Sequence, residues 1–323
     1  MDFVLVDENP CPPGGRAGAL TLRDGAQLRY GVWQVDPAKF AHPRGSVVVI
    51  QGRSEFIERY FEVIGELLNQ GFCVATFDLR GQGLSTRKLP DRRRGHIDHF
   101  KTYDDDLKQF MEEIVATEMP LPWLGLGHSL GGNILLRAVH DNIDWFTGAL
   151  FTAPMLGLRL GSNVAQRSVR LLTASMARLG LGSSYVLGGG PSGPIEVDFA
   201  DNILTSDPVR YERMQCVLRV EPNLMIGAPT MGWLHASLQA IDEVAREDYL
   251  TAIKVPAMIF LAEEDALITG TSIRHAALEM AHAELVSIPG ARHEILIEQD
   301  IHRRRFWAGF SRFADRLLGQ ALG

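Results

Sequence analysis

LPWLGLGHSLGG, Leu121 to Gly132, is the stretch from which the rest of the chain can be read. An apolar, strand-like run ends in the pattern G-x-S-x-G and passes directly into a helix-like segment, Asn133 to His140. So tight a turn from strand to helix holds Ser129 in a strained backbone conformation, and glycines at 127 and 131 leave room for neighbouring backbone. The hydroxyl then projects above a sheet. A helix starting at Leu130 aims its free N–H groups and positive dipole end at the same spot, where an anionic intermediate would form. This context predicts acyl-transfer chemistry at Ser129. Two plainer readings compete. With 32 glycines the pentapeptide can arise by chance in an ordinary turn. A dinucleotide loop in the register of Gly125 would need glycine at Leu130 and an acidic strand end further on, and neither is present.

Around this turn, short apolar runs alternate with amphipathic segments. SVVVIQG from Ser46, a helix near Glu55 to Asn69, CVATFDLRGQG from Cys73, a helix near Tyr103 to Thr117 and the strand ALFTAP, Ala149 to Pro154, read as parallel strands with helical crossovers. LTLRDG and QLRYGVWQV carry an Asp24-Gly25 turn and predict an antiparallel hairpin at the sheet edge. The alternation stops at Met155 and resumes at VPAMIFLAEED, followed by a helix near Ser272 to Ala283, the strand ELVSIPG and a last helix near Arg303 to Leu318. The expected organisation is a core of residues 1–154 and 251–323, with residues 155–250 inserted as a helical cap. The first cap helix would place Ala165, Val169, Leu172, Met176 and Leu179 on one packed face, opposite Arg167, Arg170 and Arg178. A membrane-surface helix has the same pattern, so transient membrane contact through the cap stays open. GGGPSGP, Gly188 to Pro194, reads as a loop.

A serine hydroxyl is a poor nucleophile near neutral pH. It needs a histidine to take its proton and an acid to orient and stabilise the imidazolium. Asp265 closes the strand AMIFLAEED, and the turn Gly290-Ala291-Arg292 after LVSIPG delivers His293 to the same sheet edge. The order Ser129, Asp265, His293 suits such a sheet. Glu263 and Glu264 are alternative acids, and His96, His99, His128 and His235 alternative histidines, each with an ordinary structural role. The expected oxyanion donors are the backbone N–H groups of Arg53, after the strand ending at Ile50, and of Leu130. His293-Glu294 lacks the second histidine of an H-E-x-x-H helix, so neither metal nor any other cofactor is expected.

Composition narrows the class. A chain of 323 residues with 46% hydrophobic content can bury a large core, and a net charge of −7 argues against a nucleic-acid partner. Three cysteines, Cys11, Cys73 and Cys216, have no C-x-x-C spacing and read as buried thiols in a reducing cytoplasm. The N-terminal residues lack the basic start and long apolar run of a signal peptide. The arginines at 92–94 and 303–305 read as solvated surface charge.

These residues resemble the monoacylglycerol lipase and lysophospholipase branch of the α/β-hydrolase superfamily, also grouped as serine aminopeptidase-like hydrolases. QGRSEFIERY is similar to its H-G-x-x-E-H-x-x-R-Y loop, FDLRGQGLS to its D-x-R-G-H-G-x-S strand end, and GHSLGG matches a common form of its elbow. AEEDALIT and IPGARHEILIE resemble its acid and histidine segments, and Leu204 to Leu234 the cap of bacterial lysophospholipase-like members. Gln51, Phe56 and Gln82 depart from the family's histidines, which bears on the hydrogen bonds around the oxyanion loop. The resemblance implies the α/β-hydrolase fold, a mostly parallel central sheet flanked by helices with an inserted helical cap, and hydrolysis of a small acyl ester or lipid with one acyl chain. Transfer of the acyl group to another acceptor, cleavage of a small amide, or a non-catalytic binding module on the same fold are the alternatives.

Overall fold

Runs rich in valine and leucine that are buried on both faces belong in the middle of a parallel sheet, and here they form one. The computed structural model describes residues 1–193 and 195–320, so Pro194 of the glycine-rich loop lies outside the described residues. Strands β1 (Gly15–Thr21), β2 (Gln27–Trp33), β3 (Gly45–Ile50), β4 (Phe72–Phe77), β5 (Trp123–His128), β6 (Gly148–Thr152), β7 (Ala257–Ala262) and β8 (Ala283–Ile288) form a sheet in the order β1-β2-β4-β3-β5-β6-β7-β8. β1 and β2 pair antiparallel, β2 joins β4 antiparallel, and all other neighbours run parallel. The hairpin turn sits where the Asp24-Gly25 pair places it. Gly25 takes φ +86°, and the Asp24 carboxylate accepts from Ala26 N–H at 3.0 Å.

Alternation along each strand distributes side chains to two helical layers. Val48 and Ile50 pack with Phe77, Tyr103, Leu107, Phe110, Leu135 and Ile273, so helices Lys101–Phe110, Leu130–Asp141 and Gly270–Glu279 cover one face. Val47 and Val49 point the other way, into Phe61, Ile64, Leu67, Phe306, Phe310 and Phe313 of helices Phe61–Asn69 and Asp300–Gln320. Each such side chain, fully buried, contributes roughly 1.5–3 kcal/mol of transfer free energy. That layered packing fixes the β5-to-helix turn from beneath.

Among the described residues, those between 155 and 250 add no strand to the sheet. Their α-helices are Asn163–Arg178, Pro208–Val220 and Met231–Val244, which start on side-chain caps from Ser162, Asp207 and Thr230, and helix Glu247–Ala252 straddles the boundary at 250. The face expected to pack on helix Asn163–Arg178 is only partly the one that does. Thr173 is its one buried residue, Leu172 is 36% and Leu179 72% exposed, and Arg170, expected outside, pairs with Asp242 on helix Met231–Val244. A single neighbouring helix gives a narrow contact, and an ion pair at its rim rotates the leucines outward. Arg303 departs similarly from its expected surface role, since it is buried and salt-bridged to Glu62 and Glu66. Of the cysteines only Cys73 is buried, and Cys11 and Cys216 are half-buried.

Candidate active site

Three loops at the carboxyl ends of the parallel strands converge. At the end of β5, Ser129 takes φ +51° and ψ −114°, a region that costs a non-glycine residue roughly 1–3 kcal/mol. Two backbone bonds hold it there: Ser129 N–H donates to Thr152 O at 3.0 Å, and Met155 N–H donates to Ser129 O at 2.8 Å. The turn is so close that a Cβ on residue 131 would lie 2.0 Å from Ile50 O, and one on residue 127 would lie 2.6 Å from Gly131 O. Glycine is required at both places for contact rather than for a positive φ.

His293 Nε2 stands 2.9 Å from Ser129 Oγ, and His293 Nδ1 stands 2.7 Å from Asp265 Oδ2. All three side chains are buried. The second carboxylate oxygen of Asp265 accepts N–H bonds from Leu267 and Ile268 at 2.8 and 2.9 Å. Burial pushes the Asp265 carboxyl up, but His293 beside it and these two amides outweigh burial and hold it below the ordinary carboxylate range. Glu263 instead pairs with Arg274 and stands away from the imidazole, while Glu264 is exposed. The arrangement can draw a proton from an alcohol and stabilise the imidazolium that results. Sequence reasoning thus named the three side chains that the fold brings together.

Arg53 follows β3 and Leu130 follows β5, at the carboxyl ends of two neighbouring parallel strands. Among the described residues neither backbone N–H donates to a protein acceptor. The loop carrying Arg53 is held by Gln82, one of the departures from the resembled pattern. Gln82 Nε2 donates to Gly52 O at 2.7 Å and Glu55 O at 3.2 Å, and its Oε1 accepts from Ser54 N–H at 3.3 Å. An amide bridges donors and acceptors at once without titrating.

Behind the loop lies a buried charge array that sequence reasoning missed. Arg59 sits 3.1 Å from Glu55 Oε1 and 2.8 Å from Glu294 Oε1, and Tyr60 donates its hydroxyl to Glu55 at 2.6 Å. His128 Nε2 is 3.3 Å from Glu294 Oε2, and the His128 and His293 ring centroids are 4.9 Å apart. Burial opposes charge on His128, yet Glu294 and Glu55 outweigh it and push its pKa up to about 9. Burial likewise opposes charge on Glu294, and Arg59 and His128 bring it far below the ordinary range. Glu55 shifts upward through burial and the neighbouring Glu294. Ligand atoms of Glu55, His128 and Glu294 come within 4.8 Å of one another, a spacing that could hold a cation. Arg59 and the Tyr60 hydroxyl already occupy their carboxylates, which makes the cluster an ion network. The signal in the sequence was the E-x-x-x-R-Y part of the resembled loop, Glu55, Arg59 and Tyr60, which does not say that His128 and Glu294 join them in one buried volume.

Ser129 and His293 open into a cavity of about 620 Å³. Met155, Leu158, Leu160, Val186, Ile195 and Trp233 give it apolar walls, and the glycine-rich loop contributes Gly188 to Gly190. Residues 155–250 are tied to the loops that follow β3, β7 and β8. Arg53 Nη2 donates to Gly227 O at 2.7 Å, Glu294 N–H to Leu204 O at 2.9 Å, and Arg159 N–H to Leu267 O at 2.8 Å.

The family model described as "Serine aminopeptidase, S33" matches residues 41–300. The chain belongs to this family. It is a hydrolase of the α/β-hydrolase lipase and lysophospholipase branch. It is 32% identical over 272 residues to lysophospholipase L2 of Escherichia coli, covering 80% of this chain and 76% of that one. A probable lysophospholipase L2 of Haemophilus influenzae is 28% identical over 272 residues, 84% of each chain. The hydrolase also shares its fold with a solved monoglyceride lipase of Saccharomyces cerevisiae in complex with a substrate analog. The TM-score is 0.73 at 19% identity, over 94% of this chain and 96% of the other. Among the described residues no helix is long and apolar enough to cross a membrane.

Proposed function

We propose that this hydrolase cleaves the ester of a lipid carrying one acyl chain, a lysophospholipid or monoacylglycerol, through an acyl-enzyme on Ser129. His293 takes the Ser129 proton as Oγ bonds to the carbonyl carbon, then gives it to the departing glycerol oxygen as the ester C–O bond breaks. Asp265 holds the imidazole in the tautomer with Nδ1–H toward the carboxylate. The backbone N–H groups of Arg53 and Leu130 receive the developing oxyanion. Water, deprotonated by His293, then releases the fatty acid and restores the serine.

The observation that carries this reading is His293 bridging Ser129 and Asp265 at 2.9 and 2.7 Å on the floor of an apolar cavity. Similarity to proteins named lysophospholipase supports the substrate class. Residues 155–250 act as the cap that shelters the acyl chain. Three unpaired cysteines support a reducing, cytoplasmic setting. A matched panel of lysophospholipids, monoacylglycerols and short p-nitrophenyl esters tests the proposal. Hydrolysis of lipids together with fluorophosphonate labelling at Ser129 is expected, and turnover of the short esters alone would remove the lipid assignment.

A further inference from the structure

The charge balance of the cavity is uneven. Its charged lining residues, histidines aside, are Arg53, Arg159 and Glu294, and Glu294 is already paired with Arg59. Among the described residues no carboxylate lies within 4.0 Å of the Arg53 or Arg159 side-chain nitrogens. Arg53 is the more constrained of the two. Its Nη1 donates to Ser54 Oγ at 3.1 Å and its Nη2 to Gly227 O at 2.7 Å, its buried Nε has no acceptor, and its guanidinium lies 5.0 Å from the Trp233 ring centroid. A guanidinium offers five N–H donors, so this one keeps donors to spare, while bonds from both Nη atoms and the Trp233 ring hold it in place. Desolvation lowers its pKa to about 10, which leaves it charged at neutral pH. Holding a desolvated cation without an anion is unfavourable, and the deficit is relieved when an anion enters.

We propose that the Arg53 guanidinium reads the anionic phosphodiester of a lysophospholipid, so that this residue sets preference for phosphate-bearing over neutral single-chain lipids. The inference rests on the lipid-ester reading above and deepens it. The geometry is economical, because the residue whose backbone N–H faces the ester carbonyl also presents the cation beside the glycerol end of the substrate. Arginine suits the task, since its fork matches phosphate oxygens better than a point charge does.

The test compares kcat/KM for lysophosphatidylglycerol and for the monoacylglycerol of the same chain length, in neutral-detergent mixed micelles. It uses the wild type, Arg53→Gln, Arg53→Lys and Arg159→Gln. The expected result is that the phospholipid-to-glyceride ratio falls about tenfold or more in Arg53→Gln, with Arg53→Lys in between. A ratio unchanged in Arg53→Gln, or one that moves only in Arg159→Gln, overturns the assignment. Should Arg53→Gln fail to fold, the wild type decides through inhibition of p-nitrophenyl butyrate hydrolysis. Glycerophosphoglycerol should compete where glycerol does not, and inhibition by acetate equal to that by the phosphodiester would overturn the phosphate reading. If the wild type cleaves neither lipid, the lipid-ester reading fails, while the competition assay still judges the anion site.

Discussion

The sheet floor and the segment above it are built to different standards. In β3, β4 and β7 every residue is buried, and the loops that carry Ser129 and Asp265 leave β5 and β7, which are buried apart from Trp123, while His293 follows the half-buried edge strand β8. Above them, helix Asn163–Arg178 buries one residue, and Val164, Leu171, Leu179 and Leu187 are exposed. Tight packing limits a side chain to one rotamer and one distance, which a proton relay needs. Loose packing on that helix leaves an apolar face open to solvent, the condition for contact with a lipid surface. The hydrogen bonds that Gly227 O and Leu204 O accept from Arg53 and Glu294, and that Arg159 N–H donates to Leu267 O, show where the two standards meet.

The contrast can be broken first at the floor. Ser129→Ala should lower ester turnover by about 10⁵-fold or more and abolish fluorophosphonate labelling while leaving the melting temperature close to wild type. Residual activity within tenfold of wild type would refute the nucleophile. Asp265→Asn should cost about 10³–10⁴ in kcat by presenting the wrong tautomer to His293, and steady-state kinetics on a soluble ester reads it directly.

Beneath the loops, the ion array makes a stability prediction. His128 has an ordinary pKa of 6.5 and is raised to about 9 in the fold by Glu294 and Glu55, against burial, with Arg59 opposing. Its contribution is therefore fully present below about pH 6.5, shrinks as pH climbs and is gone above about pH 9, on the order of 3 kcal/mol in all. Urea unfolding at pH 6 and pH 9.5 should show this loss in the wild type and a smaller one in His128→Gln. Parallel pH profiles would mean that the imidazole is not charged in the native state.

The smallest effect belongs to the upper segment. Leu171→Asp with Leu179→Asp should raise KM for micellar lipid about three- to tenfold through lost apolar contact with the lipid surface, and leave p-nitrophenyl butyrate turnover unchanged. An equal change on both substrates would show that these leucines support the fold instead.

Much of this was readable before any coordinates. The β5 turn, the Asp24-Gly25 hairpin and the end-of-strand positions of Asp265 and His293 all follow from local rules, because strand alternation, glycine spacing and turn chemistry act over a few residues. The family resemblance added the three departures, and Gln82 shows that one of them supports the loop that its replacement of histidine put in question. Helix Asn163–Arg178 illustrates the opposite case. Its hydrophobic stripe was visible, but which face packs depends on Asp242, a residue on another helix.

Primary structure alone therefore specified the strands, their crossovers and the strand-end positions of Ser129, Asp265 and His293, since each is written in neighbouring residues. The fold alone decided that Glu55, Arg59, His128 and Glu294 share one buried volume and that, among the described residues, Arg53 lines the cavity without a carboxylate partner. Burial and charge pairing are properties of residues that are distant along the chain, and their energies depend on the dielectric that only the packed molecule creates.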